Sequence, residues 1–192
     1  AATLGFHTGY LARHGLVALG FTNSPPTIAP VGGSKAVIGT NPMSFAVPAP
    51  RGKIAFLIDQ SSSAVAWTAV KRAAEEGRAI PLGWALDREG RPTGDPKAGL
   101  EGSMAPFGGY KGFSQGLIVE VMCAALTGSN LGTQMSSFTE NDGRPVNNGQ
   151  FFIALDPRKF SGGLFDAQIG KLTKAILSQE GARLPKIGRA HV

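Results

Sequence analysis

The chain has one cysteine among its 192 residues, Cys123, so no disulfide forms within it. A lone thiol inside the apolar run LIVEVMCAAL reads as a core residue. The missing disulfide framework fits a reducing, cytoplasmic setting. Long hydrophobic runs are missing too. The best candidate, residues 116–126, contains Glu120 and falls short of the roughly 18 apolar residues that mark a bilayer span. No membrane partner is expected, and no signal-peptide pattern opens the sequence. There is no H-x-x-x-H, no C-x-x-C and no carboxylate loop of calcium spacing, so no metal is expected. G-x-G-x-x-G and G-x-x-x-x-G-K-[ST] are also absent, which disfavours a Rossmann or P-loop nucleotide site. Charged residues make up only 17% of the chain. The 19 basic residues exceed the 13 acidic ones but are scattered, with no basic cluster and no interleaved aromatics. That argues against nucleic acid as a partner. The positive balance suits an anionic substrate or a phosphorylated cofactor.

What the chain does have is a wall of turns. Residues 21–48, FTNSPPTIAPVGGSKAVIGTNPMSFAVP, hold five prolines, three glycines and two Thr-Asn pairs. The run is too apolar for a solvated linker and too broken for one helix or strand. Proline and glycine fix turns, and those turns present Thr22, Asn23, Ser24, Thr40 and Asn41. A rigid, uncharged, polar-tipped surface of this kind suits a small-molecule pocket.

Around it, helical and strand patterns interleave, which argues an α/β fold. The length suits one domain. GFHTGYLARHG predicts a helix closed by Gly15, followed by the strand LVALGF. Strands are expected at 43–48 and 55–59, joined by a turn at 48–53. Ser61, Ser62 or Ser63 is expected to cap a helix running to Gly77, with Val65, Ala66, Ala69, Val70 and Ala73 on its inner face. Residues 78–105 are turn-rich, with a strand at 84–86 turning at Gly90. A largely apolar, buried helix is expected over 113–126 and a strand over 151–155. Asp166 is expected to cap a last helix that turns Ile169, Leu172, Ile176 and Leu177 inward and ends at Gly181.

Three places carry chemistry. Asp59 ends a hydrophobic strand before a helix, where α/β proteins bind ligands. A carboxylate there accepts both hydroxyls of a ribose, or else caps the following helix. Lys111 follows two glycines at a helix start, where free N–H groups attract anions. Ser24, Thr40 and Asn41 offer hydrogen bonds to an amide or a carboxylate, or stabilise their own turns. His7 and His14 flank the first helix and read as surface or capping residues; no ordered triad is deducible.

The pieces Thr22-Asn23-Ser24-Pro25, Ala29-Pro30-x-Gly32-Gly33, Gly39-Thr40-Asn41-Pro42, Asp59-Gln60-Ser61-Ser62 and Gly108-Gly109-Tyr110-Lys111-Gly112 occur in this order. Together they resemble the non-Rossmann malate/L-lactate dehydrogenase family, which includes sulfolactate and ureidoglycolate dehydrogenases and piperideine/pyrroline-2-carboxylate reductases. The resemblance implies a mixed sheet flanked by helices and an NAD- or NADP-dependent oxidoreductase. Hydride would pass between the nicotinamide and a small 2-oxo/2-hydroxy acid or a cyclic imino acid. It implies Ser24, Asp59, Gln60, Ser61, Gly109, Lys111 and Arg183 at the cofactor, Thr40 and Asn41 at the substrate, and a homodimer. The family's acid/base His aligns just before Ala1, so no catalytic residue is expected within the chain. A non-catalytic nucleotide-binding or interaction fragment is the alternative. Residues 1–186 are expected to form the NAD(P)-binding portion, incomplete at its N-terminus. Residues 187–192, IGRAHV, match the translation of a common sequencing adapter and are expected to be a non-native tail.

Overall fold

Alternating side chains over Met43–Ala49 and Lys53–Gln60 make two strands that pair antiparallel, Phe45 opposite Ile58 and Val47 opposite Phe56. The tight connection between them uses Arg51 and Gly52, both at positive φ. The computed structural model describes residues 3–138 and 145–185. Its elements in chain order are α1 (Leu4–Arg13), β1 (Val17–Thr22), β2 (Met43–Ala49), β3 (Lys53–Gln60), α2 (Trp67–Glu75), β4 (Ala85–Leu86), β5 (Pro92–Thr93), α3 (Pro96–Glu101), β6 (Ser103–Met104), α4 (Tyr110–Glu120), β7 (Gln150–Leu155) and α5 (Phe165–Leu177). Helices flank two sheets whose registered strand pairs are antiparallel, a mixed α/β architecture.

The chain divides into two compact units. Length alone suits one domain. The division leaves no compositional mark, because each unit is assembled from separate stretches and no linker joins them. The first unit comprises Ala1–Gly20, Met43–Gln60 and Phe152–Val192. Its sheet runs in the order β3-β2-β1-β7. Helix α1 lies on β2 and β3, burying Leu4, Thr8 and Ala12 at a four-residue spacing. Thr8 would be an orphan hydroxyl there, but its Oγ1 meets Ser44 Oγ at 2.6 Å, and Ser44 donates on to the Ile58 carbonyl at 2.9 Å. As expected, α1 ends before Gly15, which has φ +83°.

Helix α5 departs from expectation. Leu172 and Leu177 are 48% and 53% exposed, and no residue of the helix is fully buried. Ile169 and Ile176 are half-buried, so the expected inward stripe is only partly covered within the described residues. Asp166 sits in the first turn, where its charge suits the helix dipole, but it makes no capping bond; the cap position is Leu164.

The second unit comprises Phe21–Pro42 and Ser61–Phe151. Ile28, Ile38, Val70, Ala73, Ile80, Ala85 and Met104 form its core, with Trp67, Trp84 and Phe113 against it. Helix α2 begins at Trp67, later than expected. Its cap position is Ala66, and no serine caps it. Helix α3 sits in a stretch that reads as turns, because it is only six residues long and contains Gly99. Its start is nevertheless well marked, with Pro96 in the first turn and Asp95 Oδ1 accepting from Lys97 N–H at 2.9 Å. Helix α4 is apolar on most sides yet only half covered. Gly112, Gly116, Val119 and Glu120 are buried, while Leu117, Ile118 and Val121 are exposed. It continues into a π-helical turn, Val121–Ala125.

Candidate functional site

The proline- and glycine-rich wall folds back on itself. Thr27 and Ile28 donate to the Ile38 carbonyl at 2.8 Å, and Val37 donates to the Ile28 carbonyl at 3.0 Å. This return brings Gly39 against Ser24 so closely that a Cβ at residue 39 would overlap the Ser24 hydroxyl and carbonyl. Only glycine permits that approach. Ser24 N–H then donates to Asn41 Oδ1 at 3.2 Å. Asn41 itself has φ +39°, a conformation that Asn tolerates better than most residues. Its side chain is fully buried, and its amide donates to the Gly116 carbonyl at 2.9 Å and to Glu120 Oε2 at 2.7 Å. The Asn41 side chain is thus engaged inside the unit.

The next motif joins by backbone. Ser62 N–H donates to the Thr40 carbonyl at 2.7 Å, and Ser62 Oγ to the Asn41 carbonyl at 3.1 Å. Phe107 N–H donates back to the Ser62 carbonyl at 3.0 Å. The serines that might have capped α2 instead bridge two loops. Ser61 Oγ meets Ser63 Oγ at 3.0 Å, and Ser63 donates to the Val65 carbonyl. From Phe107 the chain turns through Gly109, at φ +64°, which is the cap position of α4. Lys111 follows in the first turn and is exposed. Thus Ser24, Thr40, Asn41, Ser61, Gly109 and Lys111, drawn from four sequence motifs, lie along one hydrogen-bonded set of loops.

Within this unit a cavity of about 470 Å³ opens between the wall and the α2 and α3 region. Ser24, Thr27, Thr40, Trp67, Ser103 and Phe138 are among its lining residues, and among the described residues no charged one lines it. Trp67, Ser103 and Phe138 escape sequence reasoning. Trp67 reads as an ordinary residue of an amphipathic helix, and the other two sit in turn-rich stretches with no motif.

Asp59, Gln60 and Arg183 belong to the first unit. Asp59 does not cap the helix that follows it. Its Oδ2 accepts from Gly5 N–H at 2.7 Å, in the first turn of α1, where Thr3 supplies no side-chain cap. Partial desolvation pushes the Asp59 carboxyl above the usual carboxylate range, and the Gly5 hydrogen bond opposes that rise. Gln60 and Arg183 are exposed.

Other reactive groups have local roles. His14 Nδ1 lies 2.9 Å from the Tyr10 carbonyl, and His7 packs edge-on against Phe6 and Phe152. Gly112-Phe113-Ser114-Gln115-Gly116 has the G-x-S-x-G spacing, but all five residues lie within α4. A nucleophile elbow needs a strand-to-helix turn instead. Burial and the nearby Glu120 charge push the Cys123 thiol up to about 12, so it stays protonated and inert. No metal-binding group of His, Cys, Asp and Glu occurs among the described residues, and none of their helices is long and apolar enough to cross a membrane.

Comparison with known proteins follows the same line. A malate/L-lactate dehydrogenase family model matches residues 1–187. The chain is 50% identical over 175 residues to (2R)-3-sulfolactate dehydrogenase (NADP(+)) of Chromohalobacter salexigens, covering 91% of this chain and 52% of that protein. It is 40% identical over 177 residues to Delta(1)-pyrroline-2-carboxylate reductase 1 of Burkholderia ambifaria, with the same coverage. Among solved structures, delta1-piperideine-2-carboxylate reductase of Pseudomonas syringae superposes with a TM-score of 0.86 at 35% identity, covering 96% of this chain and 55% of that one. The chain spans about half the length of the curated relatives it matches. It belongs to the malate/L-lactate dehydrogenase family.

Proposed function

We propose that residues 1–186 are the NAD(P)-binding portion of an oxidoreductase. It would move hydride between a nicotinamide and C2 of a small 2-oxo/2-hydroxy acid or a cyclic imino acid. The observation that carries this reading is the meeting of Ser24 and Thr40, from two separate motifs, at one cavity. Its volume falls in the range of small-molecule sites, and its lining, neutral among the described residues, fits the nicotinamide end of the cofactor better than the phosphates. The cofactor, when bound, supplies the hydride. Ser24 orients it and Thr40 holds the substrate. Asn41 acts at the substrate side through its backbone and its hold on Ser24. The phosphates are assigned to Gly109 and Lys111, where a helix start and a cationic side chain coincide. Asp59, Gln60, Ser61 and Arg183 complete the cofactor contacts, with Asp59 accepting from the ribose hydroxyls.

No proton-transferring residue is assigned within the chain, since His7 and His14 are engaged locally on α1. The single buried thiol supports a cytoplasmic setting. The exposed Leu117 and Ile118 of α4, with Val121 in the turn that follows, support a homodimer. The test is a fluorescence titration of the chain with NADPH and NADH. Saturable binding is expected, weakened by Lys111→Ala, with no turnover on pyruvate, malate or piperideine-2-carboxylate. A folded chain that binds neither nucleotide overturns the proposal.

A further inference from the structure

Glu120 is a buried carboxylate that the proposed hydride transfer does not use. Among the described residues no cation pairs with it. A group of this kind is tolerated inside a fold only when hydrogen bonds satisfy it. Its donors come from two different loops. Asn41 Nδ2 donates to Oε2 at 2.7 Å, and Gly132 N–H donates to Oε1 at 2.5 Å.

Both loops line the cavity of the second unit. Asn41 directly follows Thr40, and its Oδ1 accepts from Ser24 N–H at 3.2 Å. Gly132 opens a short 3₁₀ turn, Gly132–Gln134, and Met135 N–H donates back to the Gly132 carbonyl at 3.2 Å. Met135 and Phe138 then line the cavity. Gly132 also lies close to the wall. A Cβ there would stand 3.2 Å from the Ser24 carbonyl and 3.3 Å from the Val37 carbonyl. One carboxylate thus joins two segments of the cavity lining.

The two donors dictate the residue type. Asn41 has its side-chain oxygen committed to Ser24, so its amide nitrogen must meet acceptors. It finds the Gly116 carbonyl at 2.9 Å and Glu120. Gly132 presents a second N–H to the same side chain. A carboxylate accepts at both oxygens, whereas a glutamine amide offers one oxygen and one donor nitrogen. Glu120 therefore also fixes which way round the Asn41 amide sits, and that orientation gives Ser24 N–H its acceptor.

We propose that Glu120 is a positioning residue for ligand binding. One oxygen sets the Asn41 amide, and with it Ser24 and Thr40; the other holds the segment that carries Met135 and Phe138. Glu120 is not itself among the lining residues and acts through them. The inference rests on the reading of the chain as an NAD(P)-binding protein.

The test compares Glu120→Gln with Ala73→Gly in the full chain, at a temperature where circular dichroism shows each fully folded. Ala73 is buried near the end of α2, in the core of the same unit, and does not line the cavity. Its replacement lowers stability through helix propensity alone. Glu120→Gln instead turns a donor nitrogen toward Asn41 Nδ2 or toward Gly132 N–H. NADPH affinity, followed by fluorescence, is expected to fall on the order of tenfold in Glu120→Gln and to hold in Ala73→Gly. Amide hydrogen exchange at Ser24, read without ligand, is expected to quicken in Glu120→Gln alone. If Glu120→Gln does not fold, Gly132→Ala takes its place. It leaves the carboxylate in position and crowds the Ser24 carbonyl from the other loop, and the same fall in affinity is expected. Lower stability with unchanged NADPH affinity makes Glu120 a structural residue and overturns the inference, while the nicotinamide-nucleotide reading stands. So does unchanged exchange at Ser24, or an equal loss of affinity in Ala73→Gly. A folded wild-type chain that binds no NADPH overturns both.

Discussion

Asn41 Nδ2 donates to Glu120 Oε2 at 2.7 Å, and both side chains are buried. The pair ties the loop that presents Ser24 and Thr40 to helix α4. Glu120 is satisfied on its other oxygen by Gly132 N–H at 2.5 Å, and Asn41 by Ser24 N–H and the Gly116 carbonyl. A network closed in this way tolerates little change, since each loss strands a buried partner. Asn41→Asp sets a second carboxylate against Glu120 and is expected to cost about 3 kcal/mol or more. Glu120→Gln keeps the shape but turns one acceptor into a donor, at a cost of about 1–3 kcal/mol. Urea denaturation of the two variants checks the order.

Gly39→Ala is expected to disturb the cavity from outside it. The added Cβ has no room beside the Ser24 hydroxyl and carbonyl, so the Ser24 loop must move. Overpacking of this sort costs about 1–3 kcal/mol. The distinguishing readout compares it with Ser24→Ala, which removes the hydroxyl and leaves the loop in place. Gly39→Ala should lower both the melting temperature and NADPH affinity, whereas Ser24→Ala should lower affinity alone. Equal melting temperatures for Gly39→Ala and the wild-type chain would contradict the packing argument.

Much of this was legible in the sequence because it is local. The helix over GFHTGYLARHG, the strands at 43–48, 55–59 and 151–155 and the turn at Gly90 follow from periodicity and turn residues, and the structure has them. Asp59 shows where local reading stops. A strand-ending carboxylate before a helix suggests a cap for that helix, yet it caps α1, which lies 54 residues earlier in its contact at Gly5. Helices α4 and α5 fail differently. An apolar stripe says that a face is suited to burial, not how much of it the described residues cover. The bridge between Ile28 and Met104 has no sequence signal at all, because only the fold brings residues 76 positions apart side by side.

Asp59 has two separable roles, and substitution can part them. Asp59→Asn keeps an oxygen to accept from Gly5 N–H and removes a partly desolvated charge. Asp59→Ala removes the acceptor, at a cost typical of a lost helix cap, about 1 kcal/mol. Because desolvation raises the folded-state pKa, the folded form holds its proton to higher pH than the unfolded chain. This residue's favourable contribution is present at low pH and is lost as pH rises through the raised value. Asp59→Asn should therefore match or exceed wild-type stability at neutral pH and lose that part of the acid-side dependence. If Asp59 also accepts from a ribose, both variants should bind NADPH on the order of tenfold more weakly. Thermal melts from pH 4 to 8 paired with NADPH titration check both roles, and unchanged affinity in both variants would remove Asp59 from the cofactor contacts.

Cys123 provides the alkaline counterpart. Burial, reinforced by the charge of Glu120, pushes its thiol up to about 12 in the folded chain. The unfolded chain ionises the same thiol near the ordinary cysteine value, roughly 8.5. Between those two values the unfolded form sheds a proton that the folded form keeps, so stability falls as pH rises across that window. Cys123→Ala removes the group and should flatten this slope, at the expense of a small packing loss. Native Cys123 should resist iodoacetamide at pH 8 and react only once the chain is unfolded, since the thiolate is the nucleophile and it is not formed in the fold. Mass spectrometry before and after denaturation reads the outcome. Rapid labelling of the native chain would show that this part of the second unit opens on the timescale of the reaction.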